Sequence, residues 1–201
     1  MPMLSFSRRK PEIVRPAAEP EPELVIDVAR ARLALARKGR HAGPQAPAIR
    51  LALGAIEDAL ISVDAIRAAL DEAAELTEEA LETPDEGRRA LCAERYDDLR
   101  RAINEACGAS APESDCLTAH AKARLEVALD PNGRSRHVVR GADLSTGAQG
   151  LDLPPPLEAF VSDDEIRTMQ AAIATALHRL DRATQIFLDD AGALTAAAAI
   201  A

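Results

Sequence analysis

The sequence predicts a mainly α-helical protein, an elongated antiparallel rod of three helices with a small β-hairpin and a short N-terminal helix. Three observations support this fold class. Apolar residues make up 47% of the 201 residues. Aromatic residues make up only 2%, so the apolar surfaces consist chiefly of Ala and Leu, which suit long packed helices. In three segments the apolar residues recur at alternating steps of three and four, the spacing of one helix face.

The chain divides into four parts by composition. We expect residues 1–22, rich in Pro, Glu and Arg, to form a disordered tail, because they carry too little apolar surface to offset the entropy of ordering. Residues 23–47 are predicted to be a short helix followed by a linker rich in Gly and Pro. The rod is predicted over residues 48–195, and residues 196–201 form a C-terminal tail that either frays or extends the packing.

The first long helix is predicted over residues 48–81. Its apolar positions step by three and four over more than four heptads, as in a coiled coil or a long bundle. At 1.5 Å per residue the helix is about 50 Å long. Its other side carries many carboxylates, and we interpret it as a solvent-exposed face. The apolar stripe consists of Ile49, Leu53, Ile56, Leu60, Val63, Ile66, Leu70, Ala73 or Ala74, Thr77 and Leu81.

A second helix is predicted over residues 84–107. Thr83 is the predicted N-cap, Pro84 takes the first helical position, and Glu86 is spaced to return a bond to the cap. Gly108 ends the helix. A break this short makes the helix fold back antiparallel on the first one. Its apolar stripe is narrow and comprises Cys92, Tyr96, Leu99, Ile103 and Ala106.

The next segment predicts a β-hairpin at about residues 124–140. Apolar residues alternate with polar ones on both sides of a turn at 130–133, which is the pattern of two short paired strands. The stretch "GADLSTGAQGLDLPPP" that follows is rich in Gly and then in Pro, so we expect an irregular crossing segment. Its glycine spacing fits neither of the common phosphate-binding motifs.

The last helix is predicted over residues 163–190. Ser162 is its predicted N-cap, and Glu165 is spaced to complete a reciprocal cap. We expect its apolar stripe to fill the groove between the two earlier helices, and we expect Leu60, Leu99, Ile173 and Leu180 to be buried. The stripe comprises Ile166, Met169, Ile173, Ala176 or Leu177, Leu180, Thr184 and Phe187.

Charge and hydropathy exclude several classes of partner. The formal net charge is −9, which argues against nucleic acid and against an anionic membrane surface. No apolar run approaches the roughly 20 residues that a membrane span needs. We therefore predict neither a nucleic-acid interface nor a transmembrane segment.

The histidines indicate no enzyme. The four of them are scattered along the chain, and none is paired with a nucleophile in a recognisable pattern. We therefore predict no catalytic residue and no cofactor-binding residue. His137 is expected on the surface of a strand, His178 on an exposed helix face, and His41 in a loop.

The three cysteines indicate no metal centre. Cys92 lies on an apolar stripe, and we expect it to be buried. Cys107 and Cys116 are close enough in sequence to form a disulfide, an alternative that the sequence leaves open. Cys116 and His120 would supply two metal ligands, but no third or fourth ligand stands near them, so we predict no metal site.

Four stretches, in this order along the chain, resemble the helical rod of bacterial flagellins. They are "ALGAIEDALISVDAIRAALDEAAE", "DEGRRALCAERYDDLRRAINEAC", "RGADLSTGAQGLDL" and "IRTMQAAIATALHRLDRATQIFLDDAGAL". The second is similar to the family's pattern of Asp, Arg and Leu at steps of three, and the third to its "DL…GLGL" segment after a hairpin. The likeness covers about residues 48–195. The family's terminal filament-core helices and its outer domain have no counterpart in the sequence.

The resemblance implies a structural or accessory protein of the bacterial flagellum, which leaves the cell by the flagellar export route. Its expected partners are flagellin-type subunits or flagellar assembly factors, and its own polymerisation is expected to be weak or absent. The alternative is a cytoplasmic helical adaptor or regulator of flagellar assembly that keeps the fold but does not polymerise.

Overall fold

The computed structural model describes residues 45–108, 116–130 and 132–200. The tail and the short helix predicted before residue 45 lie outside them. The described residues form three helices and a two-stranded antiparallel sheet, which confirms the predicted fold class. The elements are α1 (Ala46–Glu82), α2 (Glu86–Ala106), β1 (Arg124–Ala128), β2 (Arg136–Arg140) and α3 (Asp163–Ile200).

Helix α1 is the central element of the rod. It packs against both α2 and α3, while direct contact between α2 and α3 is slight. Both neighbours run antiparallel to α1. Along α2, Arg88 pairs with Glu79 and Arg95 with the earlier Glu72.

Helix α3 begins beside the end of α1, where Arg89 joins Thr83 to Asp163, and its Asp181 pairs with Arg67 farther back along α1. The expectation that α3 fills a groove between the first two helices is therefore wrong, because α3 packs on α1 and makes little direct contact with α2.

The predicted stripe of α1 is buried from Ile49 to Thr77. It ends at Ala80, whereas the predicted Leu81 is only half-buried, because the stripe takes a step of three after Thr77. Further alanines widen the buried face in the first half of the helix, where β1 also packs on it. Leu60, Leu99, Ile173 and Leu180 are all buried, as predicted.

The chain reverses between α1 and α2 through a cap that differs from the predicted one. The N-cap of α2 is Asp85, whose Oδ1 accepts a hydrogen bond from the backbone N–H of Arg88 at 2.7 Å. Thr83 is instead the C-cap of α1, and its N–H donates to the carbonyl of Glu79. The prediction of Thr83 as N-cap is wrong because Pro84 lies outside the helix, which leaves Asp85 as the last non-helical residue.

Arg89 ties the two chain reversals at this end of the rod together. Its side chain is only 13% exposed. The guanidinium donates to the carbonyl of Thr83 at 2.8 Å, to the carbonyl of Val161 at 3.0 Å and to Asp163 Oδ1 at 2.8 Å. One side chain therefore fixes the α1–α2 break against the start of α3.

The hairpin forms where the sequence predicts it. Arg124 pairs with Arg140 at its base and Val127 with His137 farther along. At the tip, the Asp130 carboxylate accepts backbone hydrogen bonds from the residues after it. These bonds lower the pKa of Asp130 below its ordinary value, and the bond from Ser135 has the largest effect. Gly133 there has φ +64°, the left-handed conformation that glycine adopts readily.

The crossing segment, residues 141–161, is irregular as predicted, but it is also part of the core. Four of its side chains are at most 2% exposed: Leu144, Leu151, Leu153 and Phe160. They pack in the same apolar cluster as α1, α2 and α3. Because α2 and α3 touch little, this segment completes the apolar core that the two helices do not close themselves.

Both flanking helices hold the backbone of the crossing segment. Asn104 of α2 accepts from the N–H of Thr146 at 2.9 Å and donates to its hydroxyl at 3.0 Å. Arg100 of α2 donates to the carbonyl of Leu153 at 2.9 Å. From α3, Arg179 donates to the carbonyl of Gly150 at 2.6 Å. These bonds satisfy backbone polar groups of the crossing segment, which has no regular secondary structure to pair them.

The start of α3 confirms one half of its predicted cap. Ser162 Oγ accepts from the N–H of Glu165 at 3.2 Å. The Glu165 carboxylate does not return to Ser162; it accepts from the N–H groups of Leu157, Glu158 and Phe160 at 2.6–2.9 Å. The reason is that Ala159 and Phe160 have positive φ, which turns these three donors toward one carboxylate. At its other end α3 continues to Ile200, so the predicted tail extends the helix.

The only tyrosine of the chain is buried against the crossing segment. The rings of Tyr96 and Phe160 meet edge to face with centroids 5.7 Å apart. The Tyr96 hydroxyl has no hydrogen-bond partner in the part of the chain that the structure describes. Burial raises the pKa of Tyr96 to about 12.

We expect Asp85→Ala to lower the free energy of unfolding by about 1 kcal/mol, because the first turn of α2 loses its side-chain acceptor. Glu86→Ala removes the residue that was predicted from the sequence to bond back to Thr83. It should have little effect on the free energy of unfolding. Urea melts of both variants measure the difference. An equal loss in the two variants would contradict the cap seen here.

We expect wild-type stability to fall between pH 10 and about pH 12, because the folded state holds the Tyr96 proton to a higher pH than the unfolded state does. Tyr96→Phe should lack this component and should be neutral or slightly more stable at pH 7, because it removes an unpaired buried hydroxyl. Urea melts across this pH range, together with the phenolate absorbance of the single tyrosine, measure both effects. A Tyr96 that titrates at its ordinary pKa in the folded protein would contradict the burial.

Candidate interaction surface

The described histidines are dispersed over the rod. His137 on β2 makes a 2.8 Å contact through Nε2 with Asp190 Oδ1, and so links the hairpin to α3. His178 is exposed, as predicted, and His120 is half-buried beside the base of the hairpin. His41 lies outside the described residues. No two of the described histidines therefore share a site.

None of the three cysteines forms a disulfide in the structure. Cys92 is buried as predicted, and burial is the largest cause of its raised pKa. Cys107 is buried at the end of α2, and Cys116 is half-exposed. The Thr118 hydroxyl lies between the last two: it donates to the carbonyl of Cys107 at 3.0 Å and lies 3.0 Å from the sulfur of Cys116.

The described residues contain no group of three or more His, Cys, Asp or Glu side chains placed to hold a metal ion. Cys116 and His120 accordingly gain no further ligands within this part of the chain. Among the same residues, no helix has both the length and the apolar character needed to cross a membrane.

Helix α1 carries a second apolar face, directed to solvent. We call it the outer ridge: Leu51, Ala55, Ile61, Ala65 and Ala68. Leu51 is 69% exposed and Ile61 is 57% exposed, although both are large and apolar. Four of the five positions are exposed on one side of the helix, and Ala55, at the edge of this face, is partly buried against the core. Asp58 stands in their midst and is exposed. An exposed helix face of this kind is suited to packing against another helix.

The second half of α1 is acidic on its exposed side, but not all of its carboxylates are free. Glu72 accepts two hydrogen bonds from Arg95, and Glu79 accepts one from Arg88, so these two pairs join α1 to α2. Glu75 and Glu78 remain exposed. The predicted solvent-exposed acidic face is therefore partly a set of surface ion pairs, each of small energetic value.

A groove of about 940 Å³ lies beside the base of the hairpin, and we call it the hairpin groove. Leu51 and Ala55 of α1 and Leu125 of β1 form its apolar part. Lys122 and Arg124 give it positive charge. One carboxylate, Asp143, also lines it and accepts a hydrogen bond from the N–H of Ser145.

The base of this groove depends on a close backbone approach at Gly141. A Cβ atom there would lie 2.7 Å from the carbonyl oxygen of His120 and 2.8 Å from that of Leu117. The N–H of Gly141 donates to the carbonyl of Ala123 at 2.7 Å, and the N–H of Ala142 donates to that of Leu117. The crossing segment thus begins in tight contact with the chain that leads into the hairpin.

A smaller groove of about 630 Å³ lies on the other side of the hairpin, between β2 and α3. Val138 and Ile186 line it with partly exposed apolar side chains. Asp189 and Asp190 add two carboxylates, of which Asp190 contacts His137. Arg140 also lines this smaller groove. It therefore holds two carboxylates and one positive side chain, whereas the hairpin groove holds two positive side chains and one carboxylate.

The opposite end of the rod presents an apolar projection, which we call the distal turn, residues 157–161. Leu157 is 84% exposed and Val161 is 56% exposed. Glu158 between them is exposed, and Glu82 at the end of α1 adds a second exposed carboxylate at the same end. The bonds of Arg89 place this turn beside the α1–α2 break.

No functional residue was predicted from the sequence, and the surfaces above were missed. The available signal was a second periodicity on α1: Leu51, Ala55 and Ile61 fall outside the buried stripe yet are apolar. The distal turn had no such signal, since Leu157 and Val161 flank a segment without a helical repeat.

No protein-family model matches the chain, and no curated protein does. The resemblance to flagellins therefore stays a prediction.

We expect one of the three thiols, Cys116, to react first with a water-soluble thiol reagent, because Cys92 and Cys107 are buried. All three should react after unfolding without a reductant. Counting thiols in native and denatured protein, with Cys116→Ser as the control, measures this. Only one reactive thiol in unreduced denatured protein would show that Cys107 and Cys116 form the disulfide instead.

Proposed function

We propose that this chain is a flagellin-like structural or accessory protein of the bacterial flagellum, which acts by packing side by side with flagellin-type subunits. The observation that carries the proposal is the outer ridge. It is an exposed apolar face along the central helix of a rod, and Leu51 and Ile61 give it two large side chains. The order of the four stretches that resemble flagellins supports the choice of partner.

The form of the ridge favours a helix as the bound element. Its small residues, Ala55, Ala65 and Ala68, allow a second helix to approach closely, and its two large residues then pack into the gaps between the partner's side chains. At 1.5 Å per residue the ridge is about 25 Å long, which corresponds to five turns of a helix. A rod of the same class offers faces of this length.

Charge supports a weak association of the chain with itself. The net charge is −9, and Asp58 and Asp64 lie exposed on α1 beside the ridge. Like charges oppose side-by-side packing at low salt. Rod-to-rod contact is therefore expected to tighten as salt approaches physiological strength, where the screening length is about 8 Å. The purified chain is expected to remain a monomer or small oligomer and not to form long filaments alone.

A second candidate function is a cytoplasmic helical adaptor or regulator of flagellar assembly. It would use the same ridge to bind a helix of an assembly factor. The two candidates differ in where the protein resides. Recovery of the chain with sheared flagellar filaments supports the first, and its confinement to the cytosol supports the second.

We expect the purified chain to cosediment with filaments of flagellin from the same cells at physiological salt, and less so at low salt. Ile61→Asp should abolish the cosedimentation, because it places a charge on the packed face. The control is Leu91→Asp, an exposed leucine on α2, which should bind as the wild type does. If neither substitution changes the binding, the ridge is not the surface that binds flagellin. Absence of binding by the wild type would exclude the flagellin partner.

A further inference from the structure

We infer that copies of this chain bind one another head to tail, with the distal turn of one copy seated in the hairpin groove of the next. The contact joins two different surfaces. Its groove shares Leu51 and Ala55 with the outer ridge, but the contact does not require the ridge to pack against a flagellin. It rests on the chemistry of the two surfaces and on their positions along the rod.

The hairpin groove carries two positive charges, on Lys122 and Arg124, against the single carboxylate of Asp143. Neither Lys122 nor Arg124 forms an ion pair with a described residue, and Arg140 lines the smaller groove on the other side of the hairpin. Arg124 and Arg140 are also direct cross-strand partners, an arrangement that is unfavourable for like charges in a hairpin. An acidic group bound at this place would relieve that repulsion, and the remainder of the chain is strongly acidic.

The distal turn has the complementary chemistry. Leu157 and Val161 project apolar side chains, and the exposed carboxylates of Glu158 and Glu82 lie at the same end. The neighbouring Asp163 is already paired with Arg89 and therefore contributes little free charge. An apolar projection with an acidic border matches a groove with an apolar floor and basic residues at its edge.

The two surfaces lie too far apart to meet within one molecule. The hairpin groove is at Leu51 and Ala55, and the distal turn is beside Thr83, at the other end of α1. At 1.5 Å per residue, about 40 Å of rigid helix separates them. Contact must therefore form between copies. Because the two surfaces differ, each copy keeps one of them free, and the contact extends into short rows.

Salt distinguishes this contact from the proposed packing with flagellin-type rods. Opposite charges attract across the head-to-tail contact, so screening weakens it, whereas the side-by-side packing tightens with salt. Failure of the head-to-tail contact would leave the flagellin proposal untouched, and the reverse also holds.

The experiment is sedimentation velocity of the full-length protein at low salt over a range of concentrations. Two double variants reverse the charge of one surface each: Lys122→Glu with Arg124→Glu in the groove, and Glu82→Lys with Glu158→Lys at the distal turn. Neither change should harm the fold. A Glu at position 124 faces Arg140, and a Lys at position 82 suits the end of a helix.

We expect the wild type to form oligomers that dissociate as salt rises, and each double variant alone to remain monomeric because its two surfaces then carry like charge. An equimolar mixture of the two double variants should associate again, since the reversed groove of one fits the reversed turn of the other. The control, Asp64→Lys with Asp71→Lys, makes the same change in net charge as the distal-turn variant at exposed positions nearer the middle of α1, and it should leave the low-salt oligomers in place.

Three results would overturn the inference. They are a wild type that stays monomeric at every concentration, double variants that associate as the wild type does, and a mixture that remains monomeric while the wild type associates. Leu157→Ser provides a charge-neutral check, because it removes the most exposed apolar side chain of the distal turn and should reduce association several-fold.

Discussion

The fold depends on one constraint: α1 must bury apolar surface against two helices that scarcely touch each other. In a closed three-helix bundle each helix covers the other two, and the loops stay outside. Here α2 and α3 make little direct contact, so the core between them would be open to water. Leu144, Leu151, Leu153 and Phe160 close it from a segment with no regular secondary structure.

The crossing segment brings irregular backbone into the core, and the polar groups of that backbone need hydrogen-bond partners. The flanking helices provide them. Asn104 and Arg100 from α2 and Arg179 from α3 all bond to backbone groups of the crossing segment, and the Glu165 carboxylate gathers three N–H groups of the distal turn. The burial of the apolar side chains and the hydrogen bonds to the backbone therefore depend on each other, because both form only when the crossing segment adopts this conformation.

The helices and the hairpin could be predicted from the sequence because their signals are local and periodic. The stripes of α1 and α3 repeat over many turns, and residues 124–140 alternate around a turn of favourable composition. The cap of α2 was misplaced because Thr83 and Asp85 are both good capping residues, and only the position of Pro84 relative to the helix decides between them. The short helix predicted before residue 45, by contrast, lies outside what the structure describes.

The arrangement of the helices, the role of the crossing segment and the outer ridge could not be predicted for a different reason. Stripe spacing gives the face that each helix buries, but not which helices share a neighbour. The leucines at 144, 151 and 153 have no period that would mark them as core, because their contacts are set by bonds from Asn104, Arg100 and Arg179, which are distant in sequence. The exposure of Leu51 could not be predicted for the same reason, because the sequence does not show which faces of α1 have a neighbouring helix.

The two ends of the hairpin differ in how much change they tolerate. At its base, Gly141 has no room for even one added carbon. At its tip, a Cβ atom on Gly133 would meet nothing within 4 Å, and the turn is held by the carboxylate of a single residue, Asp130. Extra polypeptide at the tip would therefore extend into solvent without moving the rod. The hairpin is a place where a protein of this architecture can acquire an added domain, or an engineered tag, while its core packing stays the same.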